Sequence, residues 1–241
     1  MNSGRSEAMR KTPAWAAALV LAAGAGRRLG HGRKGLLTLG KLPLYVWSLR
    51  SFLAQPWVGQ VIVVAHAADV RGVSAAVARR FKDARVKVVA GGEQRQDSVA
   101  LGLQALDAHM EVVLVHDAAR PFLKRSLVKA CAMAARHTGG GVACVPVKDS
   151  IKRVEEGLLT GLPREHLAAA QTPQAFQAHL LREAHAQPKA RGVYYTDEAG
   201  LCEAAGIPAV AVEAYYENFK ITTPEDLLLA KRVARTFDFA S

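Results

Sequence analysis

Cysteine is scarce in this chain of 241 residues, and the few cysteines exclude two kinds of site. Cys131, Cys144 and Cys202 are odd in number, lie far apart and form no C-x-x-C motif. A disulfide framework needs paired cysteines, and a structural zinc site needs closely spaced ligands. The pattern therefore indicates buried free thiols in a reducing compartment, and we expect a cytoplasmic protein.

Long apolar runs are absent, which excludes a spanning helix of the usual kind. No run reaches the roughly 18 residues that a transmembrane helix requires, so we expect no membrane partner. Residues 1–13 are basic and precede an alanine-rich run, which imitates a secretory signal. Arg27 and Arg28 follow that run directly, and its removal would delete the first predicted strand. We therefore expect 1–13 to be a flexible basic tail.

Aromatic residues are few, at 6% of the chain, and they do not alternate with the basic residues. The formal net charge is +11, which suits nucleic acid, an anionic membrane or an anionic small molecule. Proteins that bind single-stranded nucleic acid stack its bases on aromatic side chains within a basic groove. The composition therefore argues against nucleic acid and favours an anionic small molecule.

Short apolar runs alternate with helical patterns along most of the chain. The predicted strands are Ala16–Leu21, Val61–Ala65, Val86–Ala90, Val112–His116, Val142–Val147 and Ala209–Glu213. The predicted helices are Tyr45–Ala54, Ser74–Phe81, Asp97–Ala108, Arg125–His137, Leu180–His185, Asp197–Ala205 and Glu225–Thr236. This alternation predicts an α/β fold with a doubly wound, mostly parallel sheet. We expect residues 14–241 to form a single domain.

The segment 148–171 departs from this alternation. It carries strand and turn signals, but too little apolar weight for a core. We expect a hairpin arm that projects from the domain. Because an isolated two-stranded ribbon is marginal in water, the arm should pack on a second subunit and make a homodimer. A mobile surface loop is the alternative.

A glycine-rich basic loop follows the first predicted strand, in the stretch Ala22–Lys34. Glycines that expose backbone N–H groups, together with four cations, suit a polyphosphate. Two known phosphate loops do not fit. The third glycine of a dinucleotide fingerprint comes one place late, at Gly30, and Leu42 stands where a P-loop has its Mg²⁺-binding hydroxyl.

Further polar clusters follow other predicted elements, where an open parallel sheet binds its ligands. They are Gly91–Ser98, Asp117–Pro121, Gln171–Gln174 and Asn218–Thr222. Each has a plainer interpretation, such as a capped turn, a local ion pair or a surface lysine. His116 beside Asp117 is a feature of metal-dependent phosphohydrolases, but without other spaced histidines it is better explained as a core residue. Several clusters at one edge of the sheet favour a binding site.

In order, these motifs resemble the 2-C-methyl-D-erythritol 4-phosphate cytidylyltransferase family from about residue 16 onward. The set comprises Ala22-Ala23-Gly24-x-Gly26-x-Arg28 with Lys34, Gly91-Gly92-x-x-Arg95-x-x-Ser98, His116-Asp117-Ala118-Ala119-Arg120-Pro121, Thr172-Pro173-Gln174, Thr196-Asp197-Glu198-Ala199 and Asn218-x-Lys220-Ile221-Thr222-x-Pro224-Glu225-Asp226. The resemblance implies a nucleotidyltransferase that uses CTP, a sugar-alcohol phosphate, and Mg²⁺ or another divalent cation. The substrate phosphate would attack the α-phosphorus of CTP and expel pyrophosphate.

The resemblance also implies roles for individual residues. It assigns catalysis to Arg28, Lys34 and Lys220. It assigns nucleotide binding to Ala22, Ala23, Gly24, Gly26, Gly92, Glu93, Arg95, Ser98, Asp117 and Ala118, with Asp117 also near the metal. It assigns the alcohol phosphate to Ser150, Arg164, Thr172, Thr196 and Lys220, with Ser150 and Arg164 supplied by the arm of the other subunit.

Some positions depart from the family pattern, and three other functions stay open. Leu21 and Arg33 replace prolines, Ser150 replaces a threonine, and Glu93 replaces an aspartate. None of these changes removes a charge that the transfer requires. The alternatives are a cytidylyltransferase for ribitol 5-phosphate, a non-catalytic nucleotide-sensing module, and a nucleic-acid binder with steep salt dependence.

Overall fold

The computed structural model describes residues 14–24, 36–189 and 192–239, without the side chains of 188 and 189. The predicted basic tail and most of the glycine-rich loop lie outside these ranges. Gly26, Arg28 and Lys34 are therefore outside the described residues, and their proposed roles stay predictions.

Strands and helices alternate along the described chain. The strands are β1 (Ala16–Leu21), β2 (Thr38–Leu39), β3 (Leu42–Pro43), β4 (Val58–Ala65), β5 (Val86–Ala90), β6 (Val112–Asp117), β7 (Gly140–Pro146), β8 (Lys152–Glu155), β9 (Leu158–Gly161), β10 (Ala168–Gln177) and β11 (Val210–Glu213). The helices are α1 (Leu44–Leu53), α2 (Val70–Phe81), α3 (Arg95–Gln104), α4 (Arg125–Thr138), α5 (Ala178–Lys189), α6 (Glu198–Ala204) and α7 (Pro224–Val233).

The central sheet has seven strands in the order β11-β7-β10-β6-β1-β4-β5 among the residues described. β10 pairs antiparallel with both β6 and β7, and the other pairs are parallel. The predicted mostly parallel α/β fold is confirmed. β4 and β5 lie on one side of β1 and β6 lies on the other, so the direction of winding reverses beside β1. Open α/β sheets bind ligands at such a switch point, beyond the carboxyl ends of the strands.

Strand β1 lies in the middle of the core because its side chains are apolar on both faces. Ala18 and Val20 point to the face covered by α1 and α4, where Phe52 is fully buried. Leu19 points to the opposite face, against Val99 of α3. A parallel strand covered by helices on both sides needs this continuous apolar run. The burial of β1 holds the start of the glycine-rich loop at the edge of the sheet.

Strand β10 was not among the predicted strands, because its sequence lacks the usual strand signal. The run AAAQTPQAFQ has no β-branched residue except Thr172, and it contains a proline. Pro173 is accommodated where the register with β7 shifts between Ala170 and Gln174. The predicted polar cluster Gln171–Gln174 is therefore part of a buried strand that the sequence analysis did not predict.

The hairpin β8–β9 is a two-stranded ribbon in which all eight strand residues are exposed. Its tight turn uses Glu156 and Gly157, both with positive φ, which is the geometry that two-residue hairpins favour. The exposed fractions of Val154, Leu158 and Leu159 are 65%, 74% and 68%. The predicted segment 148–171 thus contains a hairpin, but its last residues belong to β10. The role of the hairpin in a dimer stays a prediction.

The chain after β11 contributes to a third apolar cluster, which holds the segment before α7 against the domain. Ile221 is fully buried, and its N–H donates to the carbonyl of Ala119 at 2.8 Å. Phe122 and Trp47 pack in the same cluster, which α7 closes through Ala230. This packing anchors the segment that carries Lys220. No helix within the described ranges is long and apolar enough to cross a membrane.

Candidate active site

The ends of β1 and β6 bring two of the predicted motifs side by side. Leu21 and Asp117 are register partners in adjacent parallel strands. The N–H of Ala22 donates to the carbonyl of Val64 at 2.8 Å, and that of Ala118 donates to the carbonyl of Leu21 at 3.0 Å. The sheet ladder therefore continues into the start of the glycine-rich loop and holds it beside Asp117.

Asp117 carries the charge around which this edge is organised. The carboxylate is buried, with 7% of the residue exposed. Its Oδ1 lies 3.3 Å from Arg95 Nε, and its Oδ2 lies 2.5 Å from Lys220 Nζ. Burial would raise the pKa of Asp117, but Arg95, Lys220 and Arg120 outweigh it and hold that pKa well below its usual range. Asp117 is therefore ionised at neutral pH.

Arg95 bridges Asp117 to a second buried carboxylate, Glu198. Its Nη1 and Nη2 donate to the two oxygens of Glu198 at 2.8 Å each, while Nε faces Asp117. Burial would lower the pKa of Arg95, but the two carboxylates raise it above its ordinary value. Burial also raises the pKa of Glu198, against the effect of Arg95. We take the forked geometry as that of a charged guanidinium between two carboxylates.

A chain of hydrogen bonds through Thr172 and His116 fixes the end of β6. The N–H of Asp117 donates to Thr172 Oγ1 at 3.1 Å, and Thr172 Oγ1 lies 3.0 Å from His116 Nδ1. His116 Nε2 lies 3.0 Å from the carbonyl of Arg120, so Nε2 carries the proton and Nδ1 accepts from Thr172. Burial lowers the pKa of His116 to about 4. His116 is therefore a neutral core histidine, and not a metal ligand exposed in the site.

The turn between β5 and α3 packs closely against the start of the glycine-rich loop. Ser98 Oγ accepts from the N–H of Gly92 at 3.1 Å. A Cβ on Gly91 would lie 2.7 Å from both Ala23 Cβ and Ser98 Oγ, which is too close. The turn therefore needs glycine at this position. Ser98 is buried and Glu93 is exposed, so Glu93 projects from the turn towards solvent and Ser98 does not.

The segment before α7 is held by Asn218, a residue to which sequence analysis gave no role. Asn218 is fully buried, and its Nδ2 donates to Gln171 Oε1 at 2.7 Å and to the carbonyl of Thr172 at 2.9 Å. Arg120 Nη1 donates to the carbonyl of Asn218 at 2.9 Å. These bonds tie the segment to β10 and to the loop after β6, and they place Lys220, two residues later, beside Asp117.

The comparison with known families is decisive at this point. Residues 16–236 match the family model for 2-C-methyl-D-erythritol 4-phosphate cytidylyltransferase. The chain belongs to this family. The match spans the sheet, the glycine-rich loop and the segment that carries Lys220.

Relatives in the cytidylyltransferase family cover nearly the whole chain. A 2-C-methyl-D-erythritol 4-phosphate cytidylyltransferase from Geotalea uraniireducens is 42% identical over 220 residues, which is 89% of this chain and 94% of that protein. The protein of the same name from Halalkalibacterium halodurans is 40% identical over 218 residues, which is 89% of this chain and 95% of that protein. The crystal structure of the Thermus thermophilus protein of that name superposes with a TM-score of 0.75 at 35% identity, covering 90% of this chain and 98% of the other.

The predicted cytidylyltransferase site residues that the structure describes fall into two groups. One group lies together at the edge of the sheet: Ala22, Ala23, Gly24, Gly92, Glu93, Arg95, Ser98, Asp117, Ala118, Thr172 and Lys220. Ser150, Arg164 and Thr196 are exposed and form no hydrogen bond or ion pair with Asp117, Arg95 or Lys220. Arg164 Nη1 donates to the carbonyl of Lys148 at 2.5 Å, at the base of the hairpin.

A divalent cation fits this cytidylyltransferase site only with help from phosphate oxygens. Within the described ranges, no cluster of three or more His, Cys, Asp or Glu residues has the geometry to hold a metal by itself. Mg²⁺ bound to a nucleotide takes one or two protein carboxylates, and the rest of its ligands are phosphate oxygens and water. Asp117 suits that chemistry as a single ligand. Glu198 is fully engaged by Arg95.

Proposed function

We propose that this protein transfers a cytidylyl group from CTP to 2-C-methyl-D-erythritol 4-phosphate and releases pyrophosphate. One observation carries the proposal: the match to the cytidylyltransferase family model spans residues 16–236. The buried cluster of Asp117 with Arg95 and Lys220 at the switch point of the sheet supports it.

The reaction requires that the protein position the two substrates and place positive charge near their phosphates. In the reaction, a phosphate oxygen of the alcohol phosphate forms a bond to the α-phosphorus of CTP while the bond to pyrophosphate breaks. Such displacements need an in-line approach and cations where charge accumulates. We assign that charge to Lys220, and to Arg28 and Lys34 outside the described residues. Lys220 is half-buried and held by Asp117, so its ammonium is oriented before the substrates bind.

A divalent cation, Mg²⁺ by its preference for phosphate oxygens, would be held by Asp117 and the triphosphate. When bound, it would neutralise charge on the phosphates and help to orient them. Both oxygens of Asp117 face cations of the protein, Arg95 and Lys220. The carboxylate is therefore kept ionised, which is the state in which a carboxylate binds a metal.

We assign the cytidine to the start of the glycine-rich loop and to the turn before α3. Ala22, Ala23 and Gly24 carry backbone groups at the sheet edge, and Gly91 packs closely against Ala23 and Ser98. Gly92 and Glu93 continue the same turn, where the N–H of Gly92 donates to Ser98 Oγ. We also assign Arg95 and Ala118 to the nucleotide-binding surface. Backbone amides and short side chains suit a base edge, because they present fixed donors and acceptors.

The alcohol phosphate would be held by Thr172, Thr196 and Lys220 of one protomer and by Ser150 and Arg164 of a second. The exposed apolar side chains of the hairpin β8–β9 support a homodimer, because contact with a partner would remove them from water. The remaining assignments are a single domain over residues 14–241 and a cytoplasmic location. The three free cysteines, two of them buried, agree with a reducing compartment.

A paired-substrate assay tests this function. Pyrophosphate release is measured with CTP and Mg²⁺, using either 2-C-methyl-D-erythritol 4-phosphate or ribitol 5-phosphate as acceptor. We expect higher kcat/KM with the methylerythritol substrate. Preference for ribitol 5-phosphate would reassign the acceptor, and nucleotide binding without pyrophosphate from either acceptor would indicate a sensing module.

A further inference from the structure

Glu198 is a buried carboxylate at the sheet edge to which the proposed mechanism gives no task. Only 1% of its surface is exposed, and both of its oxygens are bound by Arg95 at 2.8 Å. A buried carboxylate costs free energy unless it is fully paired, and a fold without a use for one is often more stable with an apolar residue. The position of Glu198 beside the site therefore calls for a function.

We propose that Glu198 is a positioning residue that sets the orientation of the Asp117 carboxylate through Arg95. The guanidinium is planar, so binding it by two N–H groups fixes the plane and the direction of the third group. In this structure that third group is Nε–H, which faces Asp117 Oδ1 at 3.3 Å. Oδ2 is left to Lys220 at 2.5 Å. Glu198 thus decides which oxygen of Asp117 each cation takes.

Glu198 is itself held in place, because the start of α6 is hydrogen-bonded to β10. Asp197 caps the start of α6, where its Oδ1 accepts from the N–H of Gly200 at 3.0 Å. Gln174 of β10 donates to Asp197 Oδ2 at 2.8 Å and accepts from the N–H of Ala199 at 3.0 Å. These bonds fasten the first turn of α6, and with it Glu198, to the central sheet.

Glu198 is needed because Arg95 could otherwise bind Asp117 through two N–H groups instead of one. A guanidinium prefers to bind a carboxylate with two parallel N–H groups, and here Arg95 makes that pair with Glu198 and leaves a single N–H for Asp117. If the fork moved to Asp117, both oxygens would be occupied and Lys220 would lose its partner. The Arg95 side chain is one-quarter exposed, so it has room to move.

The test compares the chain with Glu198→Gln, which keeps the shape of the side chain and removes its charge. We expect kcat to fall on the order of 10-fold or more, with KM for CTP changed by less than about 3-fold, because orientation is lost and binding groups remain. Crystal structures of the unliganded proteins should show Arg95 turned onto Asp117 and Lys220 displaced. Wild-type kcat, or an unmoved Arg95, would overturn the proposal.

Asp83→Asn is the matched control. Asp83 grips Arg85 in a similar fork, with Oδ1 3.0 Å from Nε and Oδ2 2.8 Å from Nη2. This pair precedes β5 at the opposite edge of the sheet. It should lose stability without a change in kcat. A similar fall in kcat in both variants would show a general effect of stability and would overturn the proposal.

Arg95→Lys keeps the test decisive if Glu198→Gln does not fold. Lysine retains the charge but has no fork, so it should reproduce the fall in kcat with Glu198 intact. If Glu198→Gln does fold, the double variant should show no further fall, because both changes remove the same connection. Additive losses would overturn the proposal.

The inference rests on the proposed function, and the two fail differently. If the unaltered chain releases no pyrophosphate, the function fails, while the crystal structures still test the orientation of Arg95. If the unaltered chain is active and Glu198→Gln matches it, only the inference fails.

Discussion

At the scale of single residues, the hydroxyl of Thr172 holds two other residues of the site in place. One hydroxyl accepts from the N–H of Asp117 and faces Nδ1 of the neutral His116. All three groups are buried, so the loss of the hydroxyl leaves a donor and an acceptor without partners. Unpaired buried polar groups cost about 1–3 kcal/mol each.

We expect Thr172→Val to lower the free energy of unfolding by about 2 kcal/mol or more, although valine has nearly the same shape, because two buried groups lose their partner. Thr172→Ser keeps the hydroxyl and should stay within about 1 kcal/mol of the unaltered chain. Urea unfolding followed by circular dichroism measures both. Equal stability of Thr172→Val and the unaltered chain would contradict the hydrogen-bond chain described here.

Within the described structure, Lys220 is the residue to which the proposed mechanism assigns the charge that the transfer uses. We expect Lys220→Ala to lower kcat by about 100-fold or more with the fold intact, because it removes charge stabilisation in the transition state. Lys87→Ala is the control, since Lys87 pairs with Asp107 at 3.5 Å at an exposed position. Steady-state pyrophosphate release and circular dichroism measure the two effects. An unchanged kcat for Lys220→Ala would remove Lys220 from the mechanism.

At the scale of elements, helix α7 begins with a capping box that also ends the segment carrying Lys220. Asp226 Oδ2 accepts from the N–H and hydroxyl of Thr222, both at 2.7 Å, and from the N–H of Thr223 at 2.9 Å. Thr223 Oγ1 accepts from the N–H of Asp226 at 3.3 Å. Burial would raise the pKa of Asp226, but these bonds lower that pKa below its ordinary value.

This cap predicts a dependence of stability on pH. A carboxyl whose pKa is lowered by folding stabilises the protein above its unfolded pKa and loses that effect as the pH falls through the folded pKa. Asp226→Asn should therefore cost about 1 kcal/mol at pH 7, and the difference should shrink as the pH falls below about 4. Glu203→Gln, an exposed position at the end of α6, serves as the control. Denaturant unfolding at pH 7 and at a pH below about 4 measures the difference in unfolding free energy between Asp226→Asn and the unaltered chain. A difference that does not change with pH would contradict the prediction.

At the scale of the whole molecule, the proposed site includes two residues near the hairpin. Arg164 and Ser150 are exposed and make no contact with the charged cluster of their own chain. The exposed side chains of Val154, Leu158 and Leu159 supply an apolar surface on the same projection. The proposed homodimer would account for both observations.

We expect Arg164→Ala to raise KM for the alcohol phosphate with a smaller effect on kcat. Mixing it with Lys220→Ala should restore activity, because a mixed dimer contains one intact core served by one intact hairpin. With random exchange, about a quarter of the sites would be complete. Mixtures of either variant with itself provide the control. Mixtures no more active than their separate components would argue against a site shared between protomers.

The sequence was informative where a local pattern decides the structure. The bounds of β1 and β5 agree with the predicted strands, because each is a short apolar run that ends in a glycine turn. The N-terminal signals of α7 were also local, since Thr223, Pro224 and Asp226 are consecutive or nearly so. The family was evident from motifs in order, which need no geometry.

Contacts between distant parts of the chain were decided by the tertiary structure alone. Arg95 and Glu198 are 103 residues apart, and no periodicity links them. β10 is a strand only because its neighbours β6 and β7 supply the ladder that its own residues would not specify. Residue types and local order thus determined the elements and the kind of chemistry. Packing determined which charges meet, because electrostatic pairing depends on distance in space and not along the chain.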